Sequence, residues 1–306
     1  MEFRKYLAEL ADGSVRLTAS GLARLSDLSP GEEQALSAAW AGIDVRRRKR
    51  IVQELIDLAE DNVELDFDAV FFRGLTDDNA DVRVQSIRGL WEHVGPRLIE
   101  PLLGALTDDD AGVRAEAALA LGRYVTLFQT GRLRERYFRE VEAGLRRVID
   151  GGEEVEEVRA RALEAIGAYN GAWVRQAIRE AYESGVRRLK VSAVHAMGRS
   201  CEDRWLPLVT RELSNEEAEV RYEAAVACGS LGDERAVGHL VRALEDPDEE
   251  VRQASVVALG EIGGAEARHA LLELADNPSA SLREAAAFAL SQVDFEEDPL
   301  AFKYRI

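Results

Sequence analysis

A short phrase, Val-Arg or a close variant of it, returns along the 306-residue chain at a nearly fixed interval. The basic residue of the phrase is found seven times, as Arg83, Arg114, Arg159, Lys190, Arg221, Arg252 and Arg283. The steps between these residues are 31, 45, 31, 31, 31 and 31 positions. Self-similarity at a fixed period is typical of proteins that stack one small structural unit many times. The period therefore predicts a repeat array around one continuous core.

One repeat, Ala236 to Gly263, shows what the unit is. Its first half carries apolar residues at positions i, i+3, i+4 and i+7, which is the pattern of a helix with one buried stripe. They are Val237, Leu240, Val241 and Leu244. The turn that follows predicts a second helix, with Asp246 as the N-cap, Pro247 as the first helical residue and Gly263 as the end. Each repeat is therefore predicted to be a helical hairpin.

A polar residue recurs five positions before each repeated valine or its equivalent. The column consists of Asp77, Asp108, Glu153, Ser184, Asn215, Asp246 and Asn277. Six of the seven are residue types that favour the N-cap, so the column is predicted to cap the second helices. Alanines are frequent within those helices, which should allow neighbouring second helices to approach closely.

The run from Val251-Arg252 to Gly263, preceded by Asp246, resembles HEAT repeats of the short type named after phycobilisome lyases. The resemblance covers about 66–294 and implies an all-α fold, a right-handed α-solenoid of about eight stacked hairpins. It implies that the second helices line the concave surface. It also implies that the Asp of each turn and the Arg of the phrase bond between units as a ladder. The ladder residues carried over in this way are Asp77, Asp108, Asp246, Arg83, Arg114 and Arg252.

Three regions are predicted along the chain. Residues 1–65 form N-terminal helices and a degenerate capping repeat. In this repeat the residues that follow Arg48 have nearly the same spacing as those that follow Arg83 in the next repeat. Residues 66–294 form seven HEAT-like repeats, with an insertion near 124–152 that accounts for the 45-residue step. The insertion is locally basic and either extends a hairpin or contributes to a binding face. Residues 295–306 form a C-terminal tail.

Charge and composition narrow the classes of partner. The net charge is −18, from 57 acidic and 39 basic residues, which disfavours binding to nucleic acid. No apolar run approaches the ~18 residues of a membrane span. The two cysteines, Cys201 and Cys228, form no CxxC pair and are typical of a reduced compartment. We therefore expect a cytoplasmic monomer that contacts neither nucleic acid nor a membrane.

Catalytic motifs are missing from the sequence. Its four histidines make no HxxxH or HExxH spacing, and there is neither a GxSxG motif nor a phosphate-binding loop. Deoxyhypusine hydroxylase, an enzyme with HEAT-like repeats, holds two irons with His-Glu dipeptides, and no such dipeptide occurs here. We therefore expect a protein without catalytic residues, cofactor or metal.

The partner surface is predicted from the helical period. Residues three, six and ten positions after each repeated valine point away from the core. They are often charged in the first four repeats and mostly apolar or small in the last three. The candidate partner-binding residues are Arg88, Arg123, Arg161, His195 and Arg199. They would recognise an acidic partner through guanidinium–carboxylate contacts. Alternatively, such residues pair with Glu92, Glu116, Glu164 and Glu223 and only rigidify the array.

These observations predict a non-catalytic scaffold or adaptor that binds a protein or peptide along the concave face. The alternative, which follows from the resemblance to lyase repeats, is a lyase-like or chaperone-like accessory factor that handles a tetrapyrrole such as a bilin.

Overall fold

The structure, a computed structural model, describes residues 2–152 and 154–297, with side chains described up to residue 293. The regular elements within these ranges are helices, and no strand occurs there. Internal contacts divide the protein into two compact units, Met1–Ala162 and Leu163–Ile306. The last helix continues to Glu297 and so includes the first residues of the predicted tail. The rest of the tail lies outside the described residues.

Nine helices lie within the first unit and a tenth begins there. They are α1 (Glu2–Ala11), α2 (Ala19–Leu22), α3 (Pro30–Trp40), α4 (Val45–Asp61), α5 (Asp68–Gly74), α6 (Ala80–Gly89), α7 (Ile99–Ala105), α8 (Ala111–Gln129), α9 (Glu135–Asp150) and α10 (Glu156–Ile166). Short 3-10 helices span Ala23–Leu25 and Pro96–Leu98.

Eight further helices follow in the second unit. They are α11 (Ala172–Glu183), α12 (Arg187–Arg199), α13 (Leu206–Glu212), α14 (Ala218–Leu231), α15 (Val237–Ala243), α16 (Glu249–Ile262), α17 (Gly264–Glu273) and α18 (Ala280–Glu297). Short 3-10 helices span Asp203–Trp205, Glu234–Ala236 and Leu274–Asp276.

From α3 onward the helices follow one another as a first and a second helix of each repeat. The described residues hold eight such pairs, from α3/α4 to α17/α18, in agreement with the predicted number of hairpins. The apolar stripe predicted for α15 is buried at Val237 and Leu240 and half-buried at Val241 and Leu244. Each unit is a stack of helical hairpins, which is the architecture of an α-solenoid.

Close packing of the second helices depends on glycines at one repeated position. In the second unit these glycines lie against an alanine of the next second helix. The contacts are Gly167–Ala196, Gly198–Ala227, Gly229–Ala258 and Gly260–Ala289. A Cβ added to any of these glycines would lie 2.8 to 3.2 Å from the Cα of the alanine. The contacts therefore hold successive second helices in one constant register, in which equivalent positions are offset by two residues.

The predicted N-cap column is wrong by two positions. Asn79, Asp110 and Asp248 cap α6, α8 and α16, and the side chain of each accepts backbone N–H groups of the first turn. Asp246 instead accepts the N–H of Asp248 at 2.9 Å, which forms an Asx turn before the helix. Pro247 consequently precedes the helix and does not begin it. The prediction for Gly263 is confirmed, because its φ of 67° ends α16.

The insertion is an extended hairpin. Helix α8 reaches Gln129, Gly131 turns the chain with a φ of 70°, and α9 returns. Tyr124 and Phe138 are buried, and the rings of Phe128 and Phe138 stack with centroids 3.9 Å apart. The aromatic residues of the insertion thus contribute to the core, which favours the first of the two readings of this segment.

Candidate functional site

A basic side chain of one repeat joins the turn of the next. Arg83 donates to both carboxylate oxygens of Asp108, at 2.8 and 2.6 Å, and to the carbonyl of Asp77 at 2.8 Å. In the second unit Arg221 contacts Asp246 in the same way, at 2.7 and 2.9 Å. A bidentate guanidinium–carboxylate contact is strong and directional. The ladder therefore fixes the turn of one repeat against the second helix of the preceding one.

The longer hairpin changes the partner of Arg114. Arg114 donates to both carboxylate oxygens of Glu154 at 2.9 Å, and Glu153, which the sequence placed in this column, lies outside the described residues. The hydrogen bond from Arg114, opposed by burial, holds the pKa of Glu154 below its usual range. Lys190 forms the corresponding ion pair in the second unit, where its Nζ lies 2.9 Å from Oε2 of Glu212.

The ladder also extends into the N-terminal repeat, where its most buried pair lies. Arg48 donates to Asp77 Oδ1 at 3.2 Å and to the Ile43 carbonyl at 2.8 Å. The indole of Trp40 donates to Asp77 Oδ2 at 2.6 Å. Burial opposes ionisation of Asp77, but the N–H groups of Asn79 and Trp40 and the charge of Arg48 hold its pKa below the usual range. Arg48 was missed as a ladder residue, although its spacing had already signalled the degenerate repeat.

The ladder has a gap at Arg252. Its guanidinium donates to the carbonyls of Asp246 and Pro247, at 2.6 and 3.1 Å. The next turn offers Asn277 where the preceding turn has the carboxylate of Asp246, and Asn277 Oδ1 accepts the Ser279 N–H at 2.9 Å. Asp246 accepts the equivalent N–H at the same distance, so both side chains have the same orientation.

We expect the substitution Asn277→Asp to complete this contact. The new carboxylate should bind Arg252 as Asp246 binds Arg221, and the free energy of unfolding should rise by about 0.5–1 kcal/mol. Urea denaturation of the full chain at neutral pH measures the change. In the Arg252→Ala background the substitution should bring no gain, and an equal gain there would contradict the expected pairing.

Two of the candidate partner-binding residues form ion pairs in the first unit. Arg88 Nη2 lies 2.8 Å from Glu116 Oε2, and Arg161 Nε lies 2.8 Å from Glu157 Oε1 within one turn of α10. Arg88 remains largely exposed, so its guanidinium can still be approached from solvent. Pairing with Glu116 was the alternative that the sequence left open for Arg88.

The second unit contains the candidates His195 and Arg199. His195 Nδ1 lies 2.8 Å from Glu223 Oε1, again a carboxylate of the alternative reading. Arg199 is exposed in the last turn of α12. Glu164 accepts from Arg188 at 2.8 Å and from the Ser192 hydroxyl at 2.7 Å.

Arg123 differs from the other candidates because its guanidinium binds backbone carbonyl groups. Its guanidinium donates to the carbonyls of Leu90, Trp91 and His93, at 2.6 Å for Trp91 and 3.1 Å for His93. These carbonyls follow the end of α6, where a helix leaves acceptors unpaired and a cation is favourable. Burial lowers the pKa of Arg123. The side chain thus stabilises the end of α6. Arg123 also lines the groove that contains Arg88, and its role in partner binding stays a prediction.

The substitution Arg123→Ala is therefore expected to affect stability. It removes the donor to three carbonyls at the end of α6, and the free energy of unfolding should fall by about 2 kcal/mol. The control Arg88→Ala removes an exposed ion pair and should cost about 1 kcal/mol or less. Thermal unfolding followed by circular dichroism compares the two variants. A smaller loss for Arg123→Ala than for Arg88→Ala would contradict this role.

Large apolar side chains are exposed beside these charges. In the first unit a groove between α4, α6 and α8 is lined by Ile56, Arg88, Trp91, Glu116 and Leu119, which we call the Trp91 surface. Trp91 is 57% exposed. The sequence reading missed Trp91, because it lies just after α6 and outside the positions that the helical period selected.

The second unit exposes a comparable set, which we call the apolar strip. It consists of Tyr222, Val226, Val257 and Phe288, on α14, α16 and α18. Val257 is 50% exposed and Phe288 67%. Val226, Val257 and Phe288 occupy the same position of their repeats and were predicted to point away from the core, whereas Tyr222 was missed.

Within the described ranges no three His, Cys, Asp or Glu side chains are grouped so that they could hold a metal ion. None of the described helices combines the length and the apolar character needed to cross a bilayer.

Comparison with known proteins identifies the repeat. The family model described as HEAT repeats matches residues 69–137 and 206–291, about half of the chain. No curated protein matches the sequence.

Solved structures with the same fold cover most of the chain. The complex of CpcE and CpcF of phycocyanin lyase from Nostoc sp. PCC7120 is similar with a TM-score of 0.56 and 16% identity, over 92% of this chain and 97% of that chain. Kap95p bound to RanGDP is similar with a TM-score of 0.54 and 13% identity, over 98% of this chain and 46% of that one. Importin beta gives a TM-score of 0.50 and 13% identity, over 94% and 46%. This chain thus spans less than half the length of the last two, and at these identities the similarity shows the fold alone.

The matched segments include the turns and second helices that build the ladder in both units. On the family match and the paired helices together, this protein belongs to the HEAT-repeat family.

Proposed function

We propose that the protein is a non-catalytic scaffold or adaptor that binds a protein or peptide through exposed faces of its second helices. The observation that supports this most is the Trp91 surface. A tryptophan that is more than half exposed beside Leu119 is costly to leave in water and is typical of an interface anchor. The ladder joins the successive repeats of the first unit, so that such a surface is formed before a partner arrives.

The Trp91 surface has the organisation of a small interface. Trp91 and Leu119 supply an apolar centre, and the Arg88–Glu116 ion pair lies beside them with its nitrogen and oxygen 2.8 Å apart. Apolar centres with polar rims are common at protein interfaces. Because Glu116 already neutralises Arg88, apolar contacts should contribute more affinity here than charge. Preference of this surface for an acidic partner stays a prediction.

Two of the similar structures are themselves complexes, of Kap95p with RanGDP and of CpcE with CpcF. These assemblies are properties of those proteins. They support the proposal only because they show that other proteins of this fold form complexes with proteins.

The proposal is tested by capture of partners on the immobilised full chain from an extract of the source cells. Any protein recovered should then be purified and its affinity measured. Trp91→Ser combined with Leu119→Ser should weaken that affinity by about tenfold or more, because interface energy concentrates in such anchors. Val15→Ser is the control, since Val15 is 42% exposed between α1 and α2 and does not line the groove. Equal affinity of the Trp91 variant and the control would contradict the proposal.

The second candidate is an accessory factor for a tetrapyrrole. It is supported by the similarity in fold to the phycocyanin lyase complex, which carries no activity over by itself. If the candidate is right, incubation of the purified protein with a bilin should shift the absorption spectrum of the bilin. An unchanged spectrum contradicts the candidate and leaves the scaffold proposal standing.

A further inference from the structure

We propose that the apolar strip of the second unit binds a basic amphipathic helix of a partner protein. The inference rests on the proposed scaffold function and adds the chemistry of the partner at a second surface.

The strip is a continuous row because of the glycine contacts. Val226, Val257 and Phe288 each lie six residues after the repeated valine or its equivalent. The contacts of Gly229 with Ala258 and of Gly260 with Ala289 hold α14, α16 and α18 in one register, in which equivalent positions are neighbours offset by two residues. The three apolar side chains therefore follow one another across the three helices, and the row is open to solvent at Val257 and Phe288.

Carboxylates flank this row. They are Glu219, Glu223, Glu249, Glu250, Glu261 and Glu284. Glu250 lies seven residues before Val257 and Glu261 four residues after it, so both belong to the helical face that carries Val257. Glu250 and Glu261 also line one groove with Tyr222 and Val226. The side chains around the row thus carry negative charge.

Cations on the same helices point elsewhere. Arg221, Arg252 and Arg283 each donate to carbonyls of the turn before their own helix, at 2.9, 2.6 and 2.6 Å. Two carboxylates at the α14 edge have basic neighbours on α12, since Glu223 lies near His195 and Glu219 lies 3.7 Å from Arg187.

Glu261 lacks such compensation. Its carboxylate lies over Gly229, and it forms no hydrogen bond or ion pair among the residues that the structure describes. Burial raises its pKa, as expected for a carboxylate that has no cation beside it. A partner that brings lysine or arginine to this edge would supply the missing charge while its apolar side chains cover the row.

The chemistry of the row favours a helical partner. Two side chains beside it are Ala254 and Ala285, which offer no hydrogen bonds, and Gln253 already donates to Glu249 at 3.4 Å. An extended peptide would leave its backbone N–H and C=O groups without partners there, whereas a helix satisfies them internally. Packed helices lie about 8–10 Å apart, close to the rise of about seven helical residues. Apolar residues seven apart on the partner therefore match successive members of the row.

The probe is a fluorescently labelled peptide of about 18 residues with leucines along one helical face and lysines on both flanks. One comparison peptide carries glutamate in place of each lysine. Another has the composition of the probe but distributes the leucines around the helix. Fluorescence anisotropy with the full chain should show the lysine peptide binding about tenfold or more tightly than either comparison peptide, with an affinity that falls as salt rises. Equal binding of the glutamate peptide or of the redistributed peptide overturns the proposal.

Substitutions in the protein test whether the lysine peptide binds at the apolar strip. Val257→Ser should weaken binding of the lysine peptide about tenfold. Glu250→Gln together with Glu261→Gln should weaken binding and reduce its dependence on salt. Leu272→Ser is the control, because Leu272 is 46% exposed on the first helix α17, and it should leave the affinity unchanged. Binding that is insensitive to Val257→Ser overturns the inference. A cellular partner that depends on Trp91 but not on Val257 also overturns it and leaves the scaffold proposal intact.

Discussion

Replacing Asp77 with alanine is expected to lower the free energy of unfolding by about 3 kcal/mol, because the buried Arg48 loses the carboxylate that is buried with it and keeps only that of the exposed Asp78. Both side chains of this pair are almost completely shielded from solvent. The substitution also removes the acceptor of the Trp40 indole and of the Asn79 backbone N–H, which lie 2.6 and 2.9 Å from the carboxylate. Two donors would then lack an acceptor, beside a buried cation whose remaining carboxylate is exposed to solvent.

Native-state hydrogen exchange of the full chain measures this loss of stability separately for each helix. Protection should fall in α3 to α6, which surround the pair, while α14 to α18 of the second unit keep theirs. The control is Asp109→Ala, since Asp109 occupies the turn position after Asp108 as Asp78 does after Asp77, and its side chain is exposed. That control should change stability by about 0.5 kcal/mol or less. Equal effects of the two substitutions would show that the buried pair does not stabilise the first unit.

The substitution Gly198→Leu is expected to cost about 3 kcal/mol by forcing α12 and α14 apart. A Cβ at this position would lie 2.8 Å from the Cα of Ala227 and 2.9 Å from its Cβ, which is closer than real atoms approach. The obstacle is backbone in a packed helix, so no rotation of a neighbouring side chain can make room for the leucine.

Gly238→Leu is the matched control, because it adds the same side chain to a helix elsewhere in the unit. Gly238 is exposed on α15, and a Cβ there meets no atom within 4 Å. Since leucine favours the helix over glycine by roughly 0.5–1 kcal/mol, this variant should be as stable as the parent or more stable. Urea denaturation distinguishes the two outcomes. A loss of similar size in both variants would mean that the close approach of α12 and α14 is not the cause.

The sequence determined the repeated unit, because helical periodicity and turn residues act over a few positions. The stripe of Leu240 and the C-terminal glycine Gly263 were both identified from the sequence and both are found. The N-cap of α16 was predicted at Asp246 but lies at Asp248, because the same residue types favour N-caps and Asx turns. Nothing in the local pattern separates these two uses of aspartate.

Contacts between repeats were decided only by the tertiary structure. Arg114 meets Glu154, which is 40 residues away, because α9 carries the next turn to a different place than the 31-residue period implies. Arg123 shares the helical face of exposed residues, yet its long side chain reaches back to the carbonyls after α6. Side-chain reach and the packing of neighbouring helices decide which charges are neutralised and which remain at the surface. A period along one helix fixes the direction of a residue but not its partner on the next helix. The sequence therefore determined the stack and the outward direction of Val257 and Phe288, whereas only the tertiary structure decided which charges are paired.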